Sequence, residues 1–149
     1  VALAVVKYIL NHRLIEKANK RARYLEKKLR GLARNHPLIG NVRGLGMMWG
    51  IELVRNCFTG EPFDEKLDVA GLVVNRAMQN GLIIYNASGG FVDPQGAAFM
   101  VAPPLTITRK EIDVLVDLLA VTLGQVHEQL GESSGAEFRP QADRLLEAP

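Results

Sequence analysis

Gly44, Gly46 and Gly50, in the stretch GLGMMWG, are the first residues whose type and spacing suggest a ligand. Glycine-rich loops hold dinucleotides when they follow a strand and open a helix, because a phosphate then meets unpaired amides. Here the glycines precede an apolar run that reads as a strand. A turn or bulge at Gly44 and Gly46, and a close backbone approach at Gly50, is the reading that fits that order. His12, His36 and His127 stand far apart, on or beside helical stretches. None has a second ligand at metal-binding spacing, so all three are expected at the surface. Cys57 has no C-x-x-C partner, and no serine sits in a G-x-S-x-G elbow. The SGG at 88–90 reads as a loop tip rather than an anion nest. The sequence therefore offers no self-sufficient catalytic set and no metal site.

The elements around these residues are easier to read. Residues 1–35 form a helical stretch in two pieces, broken near Asn11-His12. Ala18, Ala22, Leu25, Leu29 and Leu32 make one apolar stripe, and Lys17, Lys20, Arg21, Arg23, Lys27, Lys28 and Arg30 cover the other faces. Pro37 ends the helix, since its ring disfavours helical backbone in the residue before it. Met47 to Val54 reads as a strand, apolar on both faces and therefore central. The stretch 68–79 reads as a helix capped by Asp68 and stopped at Asn80-Gly81. LIIY at 82–85 and AAFMVA at 97–102 read as an antiparallel hairpin around a polar, glycine-rich loop. Pro103 and Pro104 lack the amides a ladder needs, so the last strand stops there. Thr108 and Glu111 have capping-box spacing, and Ile112, Leu115, Val116, Leu119, Leu123, Val126 and Leu130 share one face of the helix that follows.

The 149 residues, 48% hydrophobic and 23% charged, suit one domain with a core. One cysteine excludes an internal disulfide and fits a reducing, cytoplasmic setting. The chain opens in VALAVVKYIL, apolar on every helical face, as a segment inside a larger protein would. It is too short to span a membrane, and Lys7 interrupts it. The chain accordingly reads as a fragment, with no membrane partner. Residues 1–55 hold 12 Lys and Arg against 3 Asp and Glu, while the rest of the chain is acidic. That basic third reads as a solvated helix face or as the complement of an acidic neighbour. No aromatic residues interleave for base stacking, so nucleic acid is not the expected partner.

HPLIGNVRGLGMMWGIELV, NGLIIY and FMVAPPLTITRKEIDVLVDLL, in this order, resemble the C-terminal region of class III aminotransferases of the omega- and ornithine-aminotransferase type. The omega branch is the nearer likeness. The resemblance implies an α+β, two-layer small domain of a fold-type-I enzyme, with a small mixed β-sheet covered by helices. Residues 1–130 would be that domain, 1–35 including the end of a long connecting helix, and 131–149 a flexible tail. It further implies pyridoxal phosphate as cofactor, a large domain of the same enzyme as partner, a homodimer, and an amine or amino acid and a keto acid as substrates.

In that family the cofactor is the electron sink and a Schiff-base lysine moves the proton. None of the seven lysines here (Lys7, Lys17, Lys20, Lys27, Lys28, Lys66 and Lys110) lies in a matching context, so the chain alone is expected to be inactive. Several relatives carry a carboxylate-binding arginine just before APP, where Met100 stands, or near the start of the second strand, where Tyr85 stands. Tyr85, Asn86 and Met100 are thus the candidate substrate-binding residues, either for an amine without an α-carboxylate or for a site whose carboxylate clamp comes from elsewhere. The alternative reading is a non-catalytic interaction module that binds through its apolar opening helix.

Overall fold

A computed structural model describes residues 2–88 and 96–134. The apolar opening becomes α1 (Ala2–Asn11), and the stripe after it becomes α2 (Leu14–Asn35). The break falls where the sequence places it. His12 closes the first helix by donating its amide to the Tyr8 carbonyl, 3.0 Å. Arg13 turns into left-handed backbone (φ 50°) before α2 begins. α2 buries Ala18, Ala22, Leu25 and Leu29, whereas α1 buries nothing.

Beyond Pro37 the chain forms a hairpin of β1 (Ile39–Leu45) and β2 (Met48–Leu53). Gly46 makes the turn with φ 61°, a backbone conformation L side chains rarely adopt. The Trp49 indole donates to the Gly46 carbonyl, 2.8 Å, and fastens it. Gly44 has no room for a side chain, because a Cβ there would lie 2.3 Å from the Met48 carbonyl oxygen. A 3-10 turn at Glu65–Leu67 leads into α3 (Val69–Gln79). Asp68 caps α3 as expected, its carboxylate accepting from the Gly71 amide at 3.1 Å. The chain continues through β3 (Tyr85–Asn86), β4 (Ala97–Val101) and α4 (Arg109–Ser134).

The sheet order is β1-β2-β4-β3, and every pairing among the described strands is antiparallel. The two-layer α+β expectation holds, but the sheet is not mixed. α3 carries the chain past β2 to the far edge, so β3 becomes an edge strand. β4 then turns back between β3 and β2, antiparallel to both. The expected strand LIIY narrows to Tyr85, extended by Asn86, since only these two pair with β4.

α2, α3 and α4 form the second layer. Val42, Trp49, Ile51, Leu53, Phe99 and Val101 point into it and meet Leu25, Leu29, Val73, Ile112, Leu119 and Leu123 in one core. Burying each large side chain there contributes about 1.5–3 kcal/mol. Among the described residues no helix covers the opposite face of the sheet, so β2 is central as expected but is not buried on both faces. Glu52 and Gly50 lie on that open face and are half-buried, and Met48 is exposed.

The double proline ends β4, and the Ile107 amide donates to the Pro104 carbonyl (3.0 Å) to turn the chain. The capping box forms: Thr108 donates its amide to Glu111, 2.7 Å, and the Glu111 amide donates to the Thr108 hydroxyl, 3.2 Å. The Thr108 amide, and after it the Thr108 hydroxyl, hold the Glu111 carboxyl below its ordinary pKa. α4 buries Ile112, Val116, Leu119, Leu123, Val126 and Leu130, with Leu115 half-buried. The helix runs to Ser134, past the expected start of the tail at 131; residues 135–149 lie outside the described part. Among the described residues no helix is long and apolar enough to cross a membrane.

Candidate functional site

The register of the sheet brings two of the sequence candidates face to face. Tyr85 on β3 stands directly opposite Met100 on β4. Met100 in turn stands opposite Gly50 on β2, and Gly50 opposite Arg43 on β1. Cross-strand partners share a face. Arg43, Gly50, Met100 and Tyr85 therefore form one row across the four strands, on the face that no described helix covers. Tyr85 is 69% exposed, so its ring and hydroxyl are available.

Gly50 was expected to permit a close backbone approach. Instead a Cβ there would meet only the Arg43 carbonyl oxygen, at 3.8 Å. Its missing side chain leaves a gap in the row between the Arg43 and Met100 positions. Asn86 is placed beside the row but is otherwise engaged. Its carboxamide oxygen accepts from the Ser88 amide, 2.9 Å, and so shapes the loop after β3. Asn86 also faces Phe99 across the ladder, one residue out of the row. The SGG stretch lies outside the described residues beyond Ser88.

Sequence reading missed Arg43. It forms an ion pair with Glu52 on the same open face, and its side chain keeps 70% of its exposure. No alternation announced it: the burial pattern of β1 is interrupted by a bulge between Ile39 and Asn41, and Gly40, Asn41 and Gly44 do not look like strand residues.

The histidines depart from expectation. His36 is buried, 9% exposed, and its ring meets that of His127 edge to face with centroids 6.2 Å apart. The His36 Nδ1 accepts from the Leu38 amide, 3.3 Å. Burial, reinforced by His127, pushes the His36 pKa down to about 4. Burial also lowers that of His127. Ninety-one positions separate the two in the chain, so no local spacing announces the pair. His12 alone is exposed, and its ring stacks on Tyr8. Among the described residues no cluster of three or more His, Cys, Asp or Glu could hold a metal ion.

Comparison with known proteins decides the family. The model of the class-III aminotransferase family matches residues 1–123. The chain belongs to the class-III aminotransferases. It is 36% identical over 129 residues to the uncharacterized aminotransferase YodT of Bacillus subtilis, which covers 87% of this chain and 29% of that protein. It is 36% identical over 126 residues to the putrescine–pyruvate aminotransferase of Pseudomonas aeruginosa, covering 84% of this chain and 25% of that protein. Among solved structures, a transaminase from the marine bacterium Virgibacillus superposes with a TM-score of 0.80 at 29% identity, covering 87% of this chain and 28% of that one. The chain thus spans less than a third of the length of these class-III relatives.

The class implies pyridoxal phosphate, and the residues described here do not fit it. A Schiff base needs a lysine facing the site. All seven lysines stand on α1, α2, α4 or the 3-10 turn, and none lies on the sheet face that carries Tyr85 and Met100. Six are exposed, and Lys28 is half-buried and paired with Asp113 at 2.6 Å.

Proposed function

We propose that this chain is the small C-terminal domain of an omega-type, pyridoxal-phosphate-dependent aminotransferase, and that the open face of its sheet forms one wall of the amine pocket. In this reading residues 1–130 make the domain, with α1 and α2 ending the helix that connects it to a large domain. The cofactor and its lysine sit in that large domain. The working unit is a cytoplasmic homodimer, and the acceptor is a keto acid.

The row Arg43, Gly50, Met100 and Tyr85 carries the proposal. An uncovered sheet face on a two-layer domain needs an opposing surface, and this row offers that surface a gap, an apolar side chain and a phenol. Met100 and Tyr85 occupy the places where relatives with a carboxylate clamp resemble this chain but carry arginine. A thioether and a phenol cannot make the two-pronged, charge-assisted contact of a guanidinium. The donor is therefore an amine without an α-carboxylate. The likeness to a putrescine–pyruvate aminotransferase supports this donor class and a keto-acid acceptor.

The test uses the protein that carries this chain together with its upstream segment. Met100→Arg should raise kcat/KM for an α-amino acid relative to a plain primary amine by about tenfold, the effect of one ion-paired hydrogen bond of about 1.4 kcal/mol. An unchanged ratio in a variant that keeps its overall rate would place the row away from the substrate.

A further inference from the structure

A second cationic feature lies away from that row. Between α2 and β1 runs an open groove of about 430 Å³, and Lys27, Arg30 and Arg34 line its helical side. These positions are three and four residues apart, so they share one face of the helix and span about 10 Å along it. Asn41 lines the other side, and Ala33 and Val42 give it an apolar portion. No carboxylate is among its described lining residues.

We propose that this groove binds a small phosphorylated anion carrying two or more negative charges. Three cations on one helical face repel one another, and a bound polyanion removes that cost. Their state of engagement suits a ligand-binding role. The side chains of Lys27 and Arg34 make no hydrogen bond, ion pair or ring contact among the described residues. Arg30 is held in place from two sides. Its Nε donates to Glu26 at 3.0 Å, and its guanidinium sits 5.6 Å from the centre of the Trp49 ring. The terminal nitrogens of Arg30 remain available as a fixed fork that matches phosphate oxygens. Asn41 supplies both a donor and an acceptor for a hydroxyl or ester oxygen. The apolar portion accepts the carbon body of an organic phosphate, as in other ligand pockets. Among the described strands β1 is an edge, and its outward backbone groups have no ladder partner there and can complete such a site.

The experiment is calorimetric titration of the 149-residue chain with inorganic pyrophosphate at low salt, with citrate as the non-phosphate polyanion. Binding at one pyrophosphate per chain is expected, tighter than citrate. The double variant Lys27→Ala, Arg34→Ala should weaken it at least tenfold. Alanine keeps the helix, and neither residue makes an internal contact to lose. A control pair, Lys17→Ala with Lys20→Ala, lies on the same helix outside the groove and should change affinity less than twofold. Amide shifts in the unaltered chain should centre on residues 27–34 and 40–42, a readout independent of any variant. Absence of one-to-one binding, equal loss in both double variants, or preference for citrate would each overturn the proposal.

Discussion

The carboxamide of Asn80, just past the end of α3, donates to the Thr122 hydroxyl at 2.9 Å and to the Gln125 carboxamide oxygen at 3.0 Å, both on α4. Thr122 is fully buried. The bonds tie two helices together at the point where α3 stops, so one residue fixes both the helix end and the packing of its neighbour. Asn80→Ala leaves a buried hydroxyl short of a partner and should destabilise the chain by about 1–2 kcal/mol. In a double-mutant cycle with Thr122→Val, the pair should cost less than the sum of the single changes by at least about 0.5 kcal/mol. Additive single costs in urea unfolding would mean that the bond does not couple the helices.

The His36–His127 contact predicts a stability that depends on pH. Folding lowers the His36 pKa from 6.5 to about 4. Between those values the unfolded chain binds a proton that the folded chain refuses. Stability contributed by neutral His36 is therefore complete above about pH 6.5 and is lost as pH falls toward 4. A shift of this size corresponds to about 3 kcal/mol. His127 is shifted in the same direction and adds to the slope. Urea midpoints measured from pH 7 to pH 4 should fall steeply, and His36→Gln should flatten that fall. An identical pH dependence in the variant would remove His36 from the account.

The start of α4 rests on a reciprocal pair of bonds between Thr108 and Glu111. Thr108→Ala removes the hydroxyl that accepts from the Glu111 amide and should cost about 1 kcal/mol. Glu111→Gln keeps a side-chain oxygen at that place and should cost less. The Glu111 carboxyl is held below its ordinary pKa, so its contribution is present above about pH 4.5 and is lost on acidification. Equal destabilisation by the two variants at pH 7 would argue that the box is not the cap.

α1 presents Leu3, Val6 and Leu10 to solvent at 66%, 51% and 67% exposure. They lie three and four residues apart and so form one stripe. The isolated chain should self-associate in sedimentation, and Leu3→Gln, Val6→Gln and Leu10→Gln together should make it monomeric. A strict monomer before any change, with slow amide exchange across residues 2–10, would show that this face needs no cover.

How much of this was readable in the sequence depends on how local each signal was. The break in the first helix, the stop at Pro37, the Asp68 cap and the Thr108–Glu111 box are set by residues within a few positions of each other, and they form as read. β1 was not legible, because its residues include Gly40, Asn41 and Gly44, and its strand character comes from pairing with β2. The β3–β4 pairing was read as antiparallel and is so, but the place of β4 beside β2 was hidden for a related reason. Nothing local to Tyr85 or Ala97 says which side of β2 the returning strand will take. At the candidate site, Tyr85 and Met100 came from resemblance, and their direct opposition came only with the register. Arg43 and the His36–His127 contact depend on partners distant in sequence, where pattern reading has no purchase.

The central claim is that this chain shapes a pocket while other parts of its protein hold the cofactor. Incubation of the purified chain with pyridoxal phosphate, borohydride reduction and peptide mapping tests it directly, with amine turnover measured on the same sample. Exposed lysines such as Lys27 and Lys110 can react with the aldehyde, so colour alone decides nothing. Labelling is expected to spread over several lysines, below one per chain at each, with no keto-acid-dependent loss of amine. A single lysine labelled at full stoichiometry, together with turnover, would show that the chain holds its own active site and would contradict the account.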